Sequence, residues 1–321
     1  MKRCWHSSIV LLALAGTVCA QQYPSKPLRM IVPFAPGGAS DFAARIIGPR
    51  IGDALGQQII IDNRGGAGGN LGMEAAARAA PDGYTMFFGN IGTLAINPHV
   101  YGRTLKVDPL KEFVAVGLVS ETTNLLTVHP SVPVKTAKEL IGFVKARPNQ
   151  LNYASPGTGS LNHLQMELLR NMFGLKYVHV PYKGGAGPAV ADVVAGHVTI
   201  TLQTLTSTIP FVKVGRLRPL GVTAQSRVSF LPDVPTLHEQ GVNLVSTSWQ
   251  GMLFPSAVPA EIVNRLHAAI NQSLNSAGVR ERLAVGAQDL RLSKTAEFSE
   301  FMRSESARWE TVVKTANVSL D

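Results

Sequence analysis

The sequence predicts an α/β protein of two domains. Apolar runs of strand length alternate with stretches of helical length, glycine stands at the junctions, and 321 residues is about twice a usual domain. Residues 28–34 read as a buried strand, 41–55 as a helix, 58–62 as a strand and 71–80 as a helix. Residues 85–88 follow as a strand entered from the turn Pro81-Asp82-Gly83, which makes a βαβαβ start. Gly48-Pro49 falls inside the first helix and should kink or interrupt it, because proline removes a backbone donor and crowds the preceding turn. A second unit of the same kind opens with a strand at 125–128. It continues as helix 136–147, strand 151–154, helix 159–172, strand 177–180, helix 188–195 and strand 199–202. From Pro259 the chain reads mostly helical, with Ile262, Leu266, Ile270 and Leu274 on one stripe. That segment is expected to pack back on the first unit.

Hydrophobic residues make up 45% of the chain and charged residues 16%, a balance that excludes disordered, collagenous and disulfide-scaffold classes. The first twenty residues stand apart. Lys2 and Arg3, an apolar stretch at 9–15 too short to span a bilayer, and Val18-Cys19-Ala20 before Gln21 have the build of a secretory signal peptide removed near Ala20/Gln21. Cys19 precedes the expected cut instead of following it, which argues against a lipid anchor, and no later apolar run is long enough for a membrane helix. Cys4 and Cys19 are the only cysteines and leave with the leader. The mature chain therefore holds no disulfide, thiol nucleophile or sulfur-bound zinc, which suits the periplasm. It is expected to be a monomer.

Without the leader, 28 basic side chains face 21 acidic ones. They are spread along the chain with no basic stripe interleaved with aromatics, so nucleic acid is not an expected partner. A solvated cationic surface is the plainest reading, and a mild attraction for carboxylates is the next.

The informative segments are four glycine-rich strand-to-helix loops: Ala35-Pro36-Gly37-Gly38-Ala39-Ser40-Asp41, Asn63-Arg64-Gly65-Gly66-Ala67-Gly68-Gly69-Asn70, Ser155-Pro156-Gly157-Thr158-Gly159-Ser160 and Tyr182-Lys183-Gly184-Gly185-Ala186-Gly187-Pro188. In each, glycine lets the backbone turn sharply and approach a ligand, while the first amides of the next helix point outward with partial positive charge. Such a loop can accept an anion. Nucleotide readings fail on spacing: after Gly66 and Gly68 the third glycine of a dinucleotide fingerprint would fall at Leu71, and after Gly157 and Gly159 at Asn162. No loop has the Walker lysine followed by serine or threonine, and there is no Gly-x-Ser-x-Gly elbow or His-Glu-x-x-His. The mature histidines never reach helical metal-pair spacing. No catalytic residue, metal or cofactor is expected, and a secreted hydrolytic enzyme is the least favoured reading.

Five ordered segments, Phe34-Ala35-Pro36-Gly37-Gly38 with Asp41, Asp62-Asn63-Arg64-Gly65-Gly66-Ala67-Gly68-Gly69, Pro81-Asp82-Gly83-Tyr84-Thr85, Val180-Pro181-Tyr182-Lys183-Gly184 and Leu231-Pro232-Asp233-Val234-Pro235-Thr236, resemble those of the tripartite tricarboxylate transporter solute receptors, the Bug or TctC family. The resemblance runs from about Tyr23 to the C-terminus. It implies a two-domain periplasmic-binding-protein (Venus flytrap, type II) fold with two crossing hinge strands, residues 23–124 plus 247–321 forming one domain and 125–246 the other. The implied function is capture of a small organic carboxylate, a di- or tricarboxylate or an aromatic acid, and its delivery to the membrane subunits of a tripartite tricarboxylate transporter. The same cleft would serve a sensor whose partner is a sensor kinase. By position, the first-domain grip would be Phe34, Ala35, Pro36, Gly37, Gly38, Ala39, Ser40 and Asp41 with Asn90 and Thr93. The second-domain grip would be Ser155, Thr158, Gly159, Ser160, Lys183, Gly184 and Gln203. Each has a plainer reading: Phe34 as core, Asp41 as an N-cap or loop brace, Lys183 as a turn cap, Ser40 and Ser160 as caps of their own helices. Several relatives carry an acid near Gln203, and the neutral residue here disfavours an amino-acid ligand.

Overall fold

The structure, a computed structural model, describes residues 23–316 apart from Gly184 and the side chains of Arg103 and Ala316. The expected leader, 1–20, lies outside the described residues. The first half of the chain runs β1 (Leu28–Val32), α1 (Ala39–Leu55), β2 (Ile59–Asn63), α2 (Asn70–Ala77) and β3 (Thr85–Asn90), then a π-helical turn (Gly92–Ile96) leading into the short helices α3 (Asn97–Val100) and α4 (Pro109–Glu112). The long strand β4 (Phe113–Val128) follows. Then come α5 (Ala137–Lys145), β5 (Asn152–Ser155), α6 (Leu161–Phe173), β6 (Val178–Pro181), α7 (Ala186–Ala195), β7 (Ile200–Thr204), α8 (Leu205–Lys213) and β8 (Arg218–Val222). The chain closes with β9 (Thr247–Pro255), α9 (Ala260–Leu274), α10 (Ala277–Val285), β10 (Asp289–Leu290) and α11 (Thr295–Ala316).

The strands form one mixed sheet in the order β2-β1-β3-β9-β4-β7-β5-β6, with β8 and β10 also paired to β4. Parallel triplets lie at its two ends, β2-β1-β3 and β6-β5-β7, while β4 and β9 run antiparallel through the middle. Parallel strands need helices on both faces, and the alternation along β1 and β3 meets that need. Met30, Val32, Met86 and Phe88 share a core with α1, α9 and α10, whereas Ile31 and Phe87 point the other way into a core with α11. The C-terminal helices thus cover both faces of the first parallel triplet: Val263, Leu266 and Ile270 lie on one side, Phe298, Met302 and Trp309 on the other.

Two differences from the expectations have local causes. Pro49 does not interrupt α1, which runs unbroken to Leu55. Ala43, Ala44, Ile47 and Ile51 are fully buried on its inner face, and that burial outweighs the one hydrogen bond proline removes. The strand expected at 125–128 is the last quarter of β4, whose earlier part pairs with β9 from Phe113 to Thr123. Its later part pairs instead with β7 and β8.

Where β4 changes partners, Thr223 pins the crossing. Its hydroxyl donates to the Ser246 carbonyl (2.7 Å) and accepts from the Asn124 amide (3.1 Å), its own amide donates to Asn124 (2.9 Å), and its carbonyl accepts from Ser246 (3.0 Å). One buried threonine therefore joins the strand leaving the first triplet to the segment returning to it.

Candidate functional site

The strand ends and helix starts of both halves face one another across a cleft, and a cavity of about 60 Å³ lies between them. That is room for about four to six water molecules, taking roughly 10–15 Å³ for each. From the first half, Phe34, Gly38, Ala39 and Ser40 line it with Gly68, Asn90, Ile91 and Gly92. The facing wall is Pro156, Ser160, Leu161, Asn162, Ala186, Gln203 and Thr204, and Ser248 and Gln250 of β9 complete the lining. No lining residue is acidic, basic or histidine.

What the lining offers instead is helix starts. Helices α1, α6, α7 and α8, of 17, 13, 10 and 9 residues, all begin at this wall. The first turn of a helix has amides without intrahelical acceptors, and each start carries about half a positive charge. Four together present about two charges without the desolvation cost of burying a cation. Their caps differ. Ser160 caps α6 by accepting the His163 amide (3.3 Å), whereas α1 and α7 are preceded by Gly38 and Gly185 and have no side-chain cap. Glycine at position 38 lets the backbone itself form part of the wall, and Gly185 supplies the positive φ (91°) from which α7 starts.

The first-half loop is braced from behind by Asp41. Its carboxylate accepts the Gly37 amide (3.1 Å), Arg45 Nε (3.0 Å) and Asn63 Nδ2 (3.0 Å), and Asn63 also donates to the Phe34 carbonyl (2.9 Å). Asn90 and Thr93 exchange hydrogen bonds, Thr93 amide to Asn90 Oδ1 (3.0 Å) and Asn90 amide to Thr93 Oγ1 (3.2 Å), which fixes the π-helical turn on the end of β3.

The second-half loop rests on imidazoles. His163 Nδ1 accepts the Gly159 amide (3.1 Å), and Ser155 Oγ and His179 Nε2 share a hydrogen bond (2.7 Å). The two rings stack with centroids 4.2 Å apart, and Tyr153 stacks on His179 at 4.8 Å. Burial holds both imidazoles neutral: it is the largest cause of the fall of His163 to about 4, with Arg170 adding to it, and of His179 to about 3, with His163 and Arg170 adding. Neutral His163 is therefore no ionic partner for Glu167, whose carboxylate instead accepts the Tyr153 hydroxyl (2.6 Å).

The halves meet at the rim of the cleft. The Tyr101 hydroxyl donates to the Thr158 carbonyl (2.9 Å). Gly187 approaches the opposite loop so closely that a methyl group there would stand 3.1 Å from the Pro36 carbonyl oxygen, and one on Gly38 would stand 3.8 Å from the Ala186 Cβ. The cleft is closed in this structure.

Of the residues named from sequence, Phe34, Gly38, Ala39, Ser40, Asn90, Ser160 and Gln203 line the cavity. Ala35, Pro36, Gly37, Asp41, Thr93, Ser155, Thr158 and Gly159 lie in the same loops but outside the lining, and Asp41, Thr93 and Ser155 serve as braces. Lys183 is exposed and away from the lining; Gly184 is outside the described residues. Gly68, Pro156 and Ala186, from the glycine-rich loops singled out in the sequence but not named in the grip, also line the cavity, and sequence reasoning missed Ile91, Gly92, Leu161, Asn162, Thr204, Ser248 and Gln250. Most of these adjoin residues it did name, but Ser248 and Gln250 come from a strand whose apolar-polar mixture gave no signal. Among the described residues no cluster of three metal-ligating side chains occurs, and no helix is long and apolar enough to cross a membrane.

Comparison with known proteins matches this geometry. The profile of the "Tripartite tricarboxylate transporter family receptor" family, TctC, covers residues 43–318. The chain is 32% identical to protein BugT of Bordetella pertussis over 314 residues, 97% of this chain and 96% of that protein. Among solved structures it is similar to Rpa4515 of R. palustris with adipate (34% identity, TM-score 0.89, 92% of this chain and 99% of that one). It is likewise similar to MatC of Rhodopseudomonas palustris with bound malate (32%, TM-score 0.86, 91% and 100%). A two-lobed α/β chain with a cleft walled by helix starts, matched over nearly its whole length, belongs to the TctC family of solute-binding receptors.

Proposed function

We propose that this protein captures a small organic carboxylate in the periplasm and delivers it to the membrane subunits of a tripartite tricarboxylate transporter. The observation that carries the reading is the convergence of four helix starts on a cavity lined without a single charged side chain. An anion can be held there by amides; a cation would meet four like-signed dipole ends and no acid. The adipate and malate seen with Rpa4515 and MatC support the same ligand class for this chain.

In this reading a carboxylate sits between the 36–40 loop and the 155–160 loop. The Ala39 and Ser40 amides with the Ser40 hydroxyl act on one side, and the amides of Leu161 and Asn162 on the other. Residues 23–124 with 247–321 move as one lobe and 125–246 as the second, hinged where β4 and β9 cross. Because each lobe brings half of the donors, the anion stabilises the closed state over the open one, which is what a ligand must do to shift that equilibrium.

A thermal-shift screen of the mature protein against mono-, di- and tricarboxylates and aromatic acids tests the proposal. An acid at 100 times its Kd should add about 2.7 kcal/mol of stability. A screen in which no acid raises the melting temperature, while amines or neutral sugars do, would refute it.

A further inference from the structure

The polar end of the cavity contains an amide pair that the protein leaves unfinished. Gln203 of β7 and Gln250 of β9 both line the cavity and are fully buried. Gln250 is oriented by Ser120, whose hydroxyl donates to its Oε1 (2.8 Å), so its amino group is the free end and has no partner. Gln203 has no partner at either Oε1 or Nε2. A buried amide without hydrogen bonds is costly, and native proteins satisfy nearly all of them.

We propose that Gln203 and Gln250 form an uncharged subsite that reads a hydroxyl on the carboxylate ligand, so that the preferred ligand is a hydroxy acid. Two free amino groups ask for an acceptor, and the free Gln203 carbonyl asks for a donor. A hydroxyl supplies both from one atom. A ligand with only acceptors beside its carboxylate anchor leaves Gln203 Oε1 bare. An ammonium group would satisfy that oxygen but, with no acid in the lining, would be desolvated without a counter-charge. The inference rests on the carboxylate reading and deepens it from acid to hydroxy acid.

The test is calorimetric titration of the mature protein with succinate, malate and aspartate, which carry hydrogen, hydroxyl and ammonium at one carbon of a shared backbone. Benzoate, para-hydroxybenzoate and para-(aminomethyl)benzoate form the aromatic counterpart. For any other acid the thermal-shift screen returns, the same comparison is made with its hydroxy or deoxy analogue. The hydroxylated member should bind about 10- to 100-fold more tightly than the deoxy member, and the ammonium member most weakly. Gln203→Met, of similar length and without hydrogen bonds, should bring the hydroxy-to-deoxy ratio within about threefold. The isosteric Gln203→Glu should raise the ammonium member above the hydroxylated one, and it decides the matter should Gln203→Met fail to fold. Carboxylates that bind with no hydroxyl preference, or a preference that survives Gln203→Met, would overturn this inference and leave the receptor reading standing. Failure of every carboxylate would overturn both.

Discussion

Asp41 and Lys183 were named together from the sequence and have opposite stations in the structure. Asp41 is buried behind the first loop with three donors on its carboxylate, while Lys183 is exposed. Replacing Asp41 with alanine should weaken carboxylate binding about tenfold and lower stability by about 1–3 kcal/mol, since the Gly37 amide and Asn63 lose a charged acceptor. Lys183→Ala should change affinity by less than about threefold; calorimetry on both variants checks the order. The glycines and hydroxyls of the wall were legible because loop chemistry is local, but the roles were not. Whether Ser40 or Ser160 caps its helix depends on where the helix starts, and α1 begins before Ser40 whereas α6 begins after Ser160. The imidazole pair behind the second loop was not legible at all, because His163 and His179 come together only when α6 packs on the β5–β6 pair. Their folded pKa values, near 4 and 3, lie below the ordinary 6.5. Between those limits the unfolded chain binds more protons, so stability rises with pH and is lost as pH falls from about 6.5 towards 4. The melting temperature should drop across that window by the equivalent of about 2–4 kcal/mol, and His163→Gln with His179→Gln should flatten the decline. A decline of equal slope in the double variant would assign it to other groups.

The elements flanking the glycine-rich loops are displaced by only one to three residues from their expected bounds, because the period-two and helical patterns there are strong and glycine punctuates them. The middle of the sheet was harder. The run Phe113-Val114-Ala115-Val116-Gly117-Leu118-Val119 has the apolar content of a buried strand, yet a 16-residue strand that exchanges partners halfway has no local signature. Likewise β8 and β9 gain their place from pairing with β4 rather than from their own pattern. At the exchange point the energetic weight falls on Thr223. Thr223→Val keeps the shape and removes the hydroxyl that serves Asn124 and Ser246, leaving both buried backbone groups short of a partner. We expect a loss of about 1–3 kcal/mol in chemical denaturation, larger than that of Thr122→Val, since Thr122 makes its close bond only to the Ala287 carbonyl. Equal losses would show that the crossing is no more dependent on its threonine than any other buried site.

At the scale of the molecule, two lobes joined by β4 and the β9 return wall a cavity that neither completes alone, and they meet at the rim through the Tyr101 hydroxyl on the Thr158 carbonyl and through Gly187 against the Pro36 carbonyl. Among the glycines that face the other lobe, Gly187 has the least room, 3.1 Å from an added Cβ to the Pro36 carbonyl oxygen. Gly187→Val should leave the melting temperature of the ligand-free protein within about 1 kcal/mol of wild type while reducing carboxylate affinity at least tenfold, because only the closed state meets the added side chain. Small-angle scattering of that variant should show no compaction on adding an acid that compacts the wild type. The central claim is that the cleft holds a carboxylate as an anion through helix-start amides, without a charged side chain. Calorimetric titration of the wild-type mature protein with the best acid from the screen, and with the same acid fully methyl-esterified, tests it most directly. The account predicts that the ester loses at least about 100-fold in affinity, because it keeps the shape and removes the charge that four helix starts are set to meet. An ester that binds within about threefold of the acid would contradict it.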